Sequence, residues 1–268
     1  MIFFEGCTAL ITGASAGLGT EFARQLAPYA RTLVLVARRQ ERLELLTSEL
    51  TGLFPNLQVR IYPADLSSES QRETFIRWLG EQNLEVDFLI NNAGLGDRGK
   101  FATSEWDKVR QILDVNIAAL THLTHALVPG MAARGRAAIL NVSSVAGFFP
   151  LPNFAVYAAT KAYVTSFTEA LRLELRPKGI SITALCPGPV PTEFFDVAAR
   201  GGGARPHYES IPAFAATPQE VVSDALRAVS KDRPRVIPNP LLSFAVGLAL
   251  LLPFFIVRRV LASKAVRR

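Results

Sequence analysis

The sequence carries a tyrosine and a lysine four residues apart, in Tyr157-Ala158-Ala159-Thr160-Lys161. On a helix this spacing puts both side chains on one face, where they can converge on one ligand. A free phenol titrates near about 10 and exchanges protons poorly at neutral pH; an adjacent ammonium favours the phenolate and is expected to lower that pKa toward the working range. Ser144 lies thirteen residues before Tyr157, just past an apolar run, where its hydroxyl could bond a carbonyl oxygen. Asn116 sits inside an apolar helical stretch, and a buried amide needs partners. Each also has a structural reading: Tyr157 as a core-edge residue, Lys161 as a solvated charge, Ser144 as a helix cap, Asn116 as an interhelical hydrogen bond. Their joint occurrence behind the loop described next favours catalysis.

That loop is Thr12-Gly13-Ala14-Ser15-Ala16-Gly17-Leu18-Gly19, between a first strand and a helix. Glycines there let the backbone approach a pyrophosphate, and the helix N-terminus offers unpaired N–H groups and partial positive charge. Gly13, Ser15, Gly17 and Gly19 are therefore candidate cofactor contacts. The second strand runs into Arg38 and Arg39. An NAD-preferring site usually has an acid here for the ribose 2′-OH, whereas a guanidinium suits a 2′-phosphate. NADP(H) is the expected cofactor, with Arg38 favoured over Arg39; water-facing arginines at a helix start are the alternative. Asp65 after the third strand is placed at the adenine pocket, and Asn92 belongs to the Asn91-Asn92-Ala93-Gly94 turn after the fourth.

The elements that must hold these residues alternate. Thr8–Thr12, Thr32–Val36, Gln58–Tyr62, Phe88–Ile90, Ala137–Val142 and Ser181–Leu185 read as strands, several of them apolar on both faces. Helical patterns run near 17–29, 39–52, 68–83, 104–133 and 155–177. Such alternation implies βαβ units and a doubly wound parallel α/β sheet, whose strand ends line one crevice. Residues 192–217, with Gly201-Gly202-Gly203, Pro206 and Pro212, read as a mobile substrate loop holding a short helix. Thr217 is an N-cap with Pro218 at the first helical position of a further helix. One domain is expected over 1–235, followed by an apolar C-terminal extension over 236–268.

The net charge of +6 is concentrated at the end: residues 258–268 carry five basic residues and no acid. No basic stripe crosses the body of the chain, which argues against nucleic-acid binding. Cys7 and Cys186 sit in apolar runs and read as reduced core thiols. The N-terminus lacks the marks of a signal peptide, so a cytoplasmic location is expected. Val236 to Val257 contains no charged residue, and its inner apolar run, Leu241–Val257, is 17 residues long and interrupted by Pro253. The run is marginal for a span, and spanning would oppose the positive-inside tendency. An interfacial anchor on the cytosolic face of a membrane fits better, with packing on the protein as the alternative. His122 and His125 are three apart on one helix, but no third ligand is evident, so no metal is expected.

These motifs together resemble the short-chain dehydrogenase/reductase family over residues 5 to about 240: Thr12-Gly13-x-x-x-Gly17-x-Gly19, Asn91-Asn92-Ala93-Gly94, Asn116, Ser144, Tyr157-x-x-x-Lys161 and Cys186-Pro187-Gly188. The resemblance implies a Rossmann-type sheet of seven parallel strands with three helices on each side. It also implies roles. Tyr157 gives a proton to a carbonyl oxygen oriented by Ser144, Lys161 binds the nicotinamide ribose, and Asn116 holds a water linking Lys161 to solvent. Thr192 anchors the carboxamide, and the helices of Asn116 and Tyr157 form the interface of a homodimer or homotetramer. The expected activity is NADPH-dependent reduction of a ketone or aldehyde. Phe101, Phe148, Phe149, Leu151, Phe154, Phe194 and Phe195 suggest an apolar, lipid-like or long-chain acyl substrate. The alternatives are a non-catalytic NADP-binding sensor or scaffold, and the reducing subunit of a lipid-elongating assembly.

Overall fold

The computed structural model describes residues 4–199 and 214–266. Runs such as Thr32-Leu33-Val34-Leu35-Val36-Ala37 are β-branched or apolar throughout and buried along their whole length, as parallel strands covered on both faces must be. Seven parallel strands form one sheet in the order β3-β2-β1-β4-β5-β6-β7. They are β1 (Thr8–Thr12), β2 (Thr32–Ala37), β3 (Gln58–Pro63), β4 (Phe88–Asn91), β5 (Ala137–Val142), β6 (Ile180–Leu185) and β7 (Arg235–Val236). Ile11 of β1 pairs with Leu35 of β2 on one side and Ile90 of β4 on the other. The strand order reverses there, so the crevice opens beyond the ends of β1 and β4.

Three helices cover each face. On one side lie α1 (Gly17–Leu26), α2 (Gln40–Leu53) and α8 (Pro218–Ser230), which bury Phe22, Leu43 and Leu226 against Ile11, Leu35 and Leu185. On the other lie α3 (Glu69–Glu81), α5 (Leu120–Arg134) and α6 (Ala155–Leu175), with Phe75, Leu123 and Met131 against Leu10, Val34 and Ile139. Each such buried side chain contributes about 1.5–3 kcal/mol relative to an exposed one. The Thr217 cap is observed as a complete capping box with Glu220, ahead of Pro218.

Two expectations are refined. The stretch expected as one helix near 104–133 is one continuous helix, Trp106–Arg134, built of α4 (Trp106–Leu113), a π turn (Asp114–Ala119) that the spacing did not anticipate, and α5. The proposed boundary at 235 cuts through β7, whose two residues pair with Ala184 and Leu185. The chain then continues into α9 (Pro240–Leu251), which packs Leu242 and Val246 onto the domain. The break at Pro253 separates α9 from α10 (Phe254–Val266), and the two helices bend by 116°. Within the loop expected over 192–217, α7 (Phe194–Ala198) forms the short helix; residues 200–213 lie outside the described residues.

Candidate active site

The glycine turn leaves β1 by a route that only glycine permits. Gly13 has φ +67°, and a Cβ there would lie 2.9 Å from Ala93 Cα. A Cβ on Gly19 would overlap the Gly13 carbonyl oxygen, so α1 can approach the turn only with glycine at this position. Asn92 fixes the turn from β4 by donating its side-chain amide to the carbonyls of Thr12 (2.8 Å) and Gly13 (3.3 Å). Ala16 caps α1 without any side-chain hydrogen bond, which leaves the first N–H groups of that helix for another acceptor.

A cavity of about 580 Å³ extends from this turn to the far side of β5. Arg38, Arg39, Asp65 and Ser15 line one end, and Ser144, Tyr157 and Lys161 the other. Its volume lies within the range of small-molecule and cofactor sites, and the glycine cradle with an uncapped helix start fits a dinucleotide diphosphate. Arg39 donates to the Ser15 hydroxyl at 3.3 Å and to Glu193 at 3.0 Å, and Arg42 donates to Glu193 at 2.6 Å. The Asp65 carboxylate accepts from the backbone and hydroxyl of Ser67, which shapes the turn at the adenine end. Gly17 faces Thr192 across the cavity mouth, where its Cβ would lie 3.2 Å from the threonine Cβ.

At the other end, Tyr157 and Lys161 share one face of α6, both buried. Lys161 Nζ donates to the Val142 carbonyl at 2.8 Å and stands 5.7 Å from the centre of the Tyr157 ring. Burial pushes Lys161 down to about 8, because the ammonium loses hydration. Burial also pushes Tyr157 up to about 12, against a smaller lowering by the Ser144 hydrogen bond. This reverses the expected direction of the tyrosine shift: desolvation of the phenolate outweighs the neighbouring polar groups. In this state Tyr157 is a protonated phenol at neutral pH. The Ser144 hydroxyl also accepts from Ala146 N at 3.1 Å, so the residue caps its turn and faces the cavity at once.

The π turn carries Asn116 inward, as such local widenings do at functional sites. Its amide exchanges two hydrogen bonds with the Leu95 backbone and donates to Thr160 Oγ1 at 2.9 Å. Asn116 thus ties the β4 loop to α6, which is the interhelical reading extended to the loop. A second amide ladder, Asn91–Asn141 with Thr124 and Thr168, joins β4 and β5 to α5 and α6. It was not singled out in the sequence because isolated Asn and Thr residues give no periodic signal.

The apolar walls are partly as expected. Phe149, Leu151, Phe154, Phe194 and Phe195 line the cavity, and the Phe154 and Phe194 rings contact Tyr157 at 5.4 and 5.3 Å. Phe101 is instead exposed on the surface, and Phe148 packs under Arg235 at 5.2 Å. Arg42 and Glu193 were missed; Arg42 stands three residues beyond Arg39 on α2, a helical spacing that could have marked it. Cys7 and Cys186 are free and buried. Among the described residues no cluster of three metal-ligating side chains occurs.

Residues 7–200 match the family model described as short chain dehydrogenase. A sulfoacetaldehyde reductase of Chromohalobacter salexigens is 38% identical over 202 residues, 73% of this chain and 77% of its own. The ketoacyl reductase HetN of a Nostoc species is 33% identical over 241 residues, 89% of this chain and 80% of its own. A short-chain dehydrogenase from Sphingobium yanoikuyae, solved in complex with NADPH, superposes with a TM-score of 0.78 at 30% identity, covering 92% of this chain and 96% of that one. The sheet order, the glycine turn and these matches place the chain in the short-chain dehydrogenase family of oxidoreductases.

Proposed function

We propose that the protein is an NADPH-dependent carbonyl reductase acting on an apolar ketone or aldehyde. The observation that carries this reading is the buried Tyr157 beside Ser144 and Lys161, at the apolar end of a cavity whose other end holds arginines. Gly13, Gly17 and Gly19 with the start of α1 would hold the diphosphate, Arg38 and Arg39 with Ser15 the 2′-phosphate end, and Asp65 the adenine side. Asn92 keeps the turn in shape, and Thr192 closes over Gly17. The bound cofactor supplies a hydride.

The chain's own residues do the rest. Tyr157 holds the proton destined for the carbonyl oxygen, and Ser144 orients that oxygen. Lys161, charged below about pH 8, offers its ammonium to a ribose hydroxyl and a positive field to the phenol as the proton leaves. Asn116 fixes the Leu95 loop and α6 around them. The aromatic walls exclude water from the reacting carbonyl and favour apolar substrates. A panel of ketones graded by chain length and polarity, read by NADPH oxidation, tests the substrate class: kcat/KM should rise with apolar length. Faster turnover of polar sugars would contradict it.

The residues 236–268 are proposed to rest on the cytosolic face of a membrane. Leu242 and Val246 are used by the protein, but Phe244, Leu248, Leu251 and Phe255 are exposed, and the following stretch is basic. Twelve residues of α9 reach only about 18 Å, short of a bilayer core. Cosedimentation of the full chain with anionic vesicles should be lost when Phe244, Leu248 and Phe255 become serine; unchanged partitioning would rule the anchor out. Exposed Trp106, Tyr163 and Leu173 on α4 and α6 support a homodimer through that face, which light scattering of the purified protein checks.

A further inference from the structure

Three successive residues of the segment leading into α7 touch three different parts of the site. Thr192 lies against Gly17 of the glycine turn. Glu193 bridges Arg39 (3.0 Å) and Arg42 (2.6 Å), one carboxylate oxygen to each. The Phe194 ring lies on Tyr157 at 5.3 Å and fills the space above Gly96. A shift at Glu193 is therefore transmitted within one residue to the ring that covers Tyr157. Arg39 also holds Ser15, so the same guanidinium joins the glycine turn, the β2–α2 corner and this segment.

We propose that Glu193 is a latch that discriminates between cofactors: its carboxylate occupies the Arg39–Arg42 pair, and a 2′-phosphate must displace it. The proposal rests on the NADPH reading above and adds to it a competing group within the chain. Both partners of each ion pair are about half exposed, at 43–47% of the side chain. Such pairs hold weakly. A phosphate carries more charge and more acceptor oxygens than a carboxylate, and it suits a guanidinium fork better. The carboxylate is ionised at neutral pH, since the two arginines hold it below the usual carboxylate range. NAD, which lacks the phosphate, leaves the latch closed. NADP opens it and frees the segment bearing Phe194.

The test is calorimetric titration of NADP+ and NAD+ into the wild-type protein, E193Q and E193D, paired with hydrogen exchange of the 192–199 segment. Removing the carboxylate charge should tighten NADP+ roughly three- to tenfold, while NAD+ changes by less than about twofold; E193D should lie between. In the wild type, NADP+ should speed exchange of the Val197 and Ala199 amides, which bond to Glu193 and Phe195, relative to NAD+. In E193Q that difference should vanish. If E193Q weakens NADP+, or shifts both cofactors equally, the latch is refuted while the NADPH reading stands. If the wild type binds NAD+ as tightly as NADP+, the NADPH reading fails and the latch with it.

Discussion

Raising the pH should disable this protein through Lys161 before it touches Tyr157. The lysine is buried on α6, and loss of hydration lowers it from 10.5 to about 8. About nine-tenths of molecules then carry the ammonium at pH 7 and about one-tenth at pH 9. Tyr157, pushed up to about 12, keeps its proton throughout that range. The expected result is a kcat/KM for NADPH that falls about tenfold between pH 7 and 9 with a single ionisation, since this ratio reports the free enzyme. Lys161→Arg retains a charge far above this range, so its residual activity should show a flattened profile. The same shift bears on stability. The unfolded chain binds the lysine proton more tightly between about pH 8 and 10.5, so the charged lysine costs stability below that window, and the cost is relieved as pH rises through it. Tyr157 acts oppositely between about 10 and 12, where the folded state holds the proton and loses stability as pH rises. A wild-type kcat/KM that stays level to pH 10, or a break at the same pH in Lys161→Arg, would refute the reasoning.

Two further outcomes follow from the packing. Gly19→Ala places a Cβ on the Gly13 carbonyl, so the glycine turn must shift; a loss of about 1–3 kcal/mol in urea unfolding, with weakened dinucleotide binding, is expected. Wild-type stability and binding in that variant would show that the turn is looser than described. Burial raises the Cys7 and Cys186 thiols to about 12 and about 11, so neither should react with a thiol reagent at pH 8 until the protein is unfolded. Rapid labelling of one equivalent in the native protein would contradict that.

Much of this was legible in the sequence because the sheet is buried on both faces. Runs like Leu33-Val34-Leu35-Val36 can be little else, and six strands emerged close to their observed bounds. β7 could not be read, since Arg235 and Val236 form a strand only by pairing with β6. The π turn was hidden for a similar reason: apolar spacing around Asn116 cannot distinguish a widened turn from a continuous helix. Tyr157, Lys161, Ser144 and Asn116 were singled out from type and spacing, but the sign of the tyrosine shift was not legible, because burial depends on Phe154 and Phe194 arriving from distant loops. Glu193 stands 151 residues from Arg42, and only the fold brings them together.

The central claim, that Tyr157 delivers the proton in carbonyl reduction, is tested most directly by single-turnover NADPH oxidation with Tyr157→Phe on the best ketone of the panel. The account predicts a rate lower by roughly 10²–10⁴-fold, with NADPH still bound by the variant. An unchanged rate would contradict it.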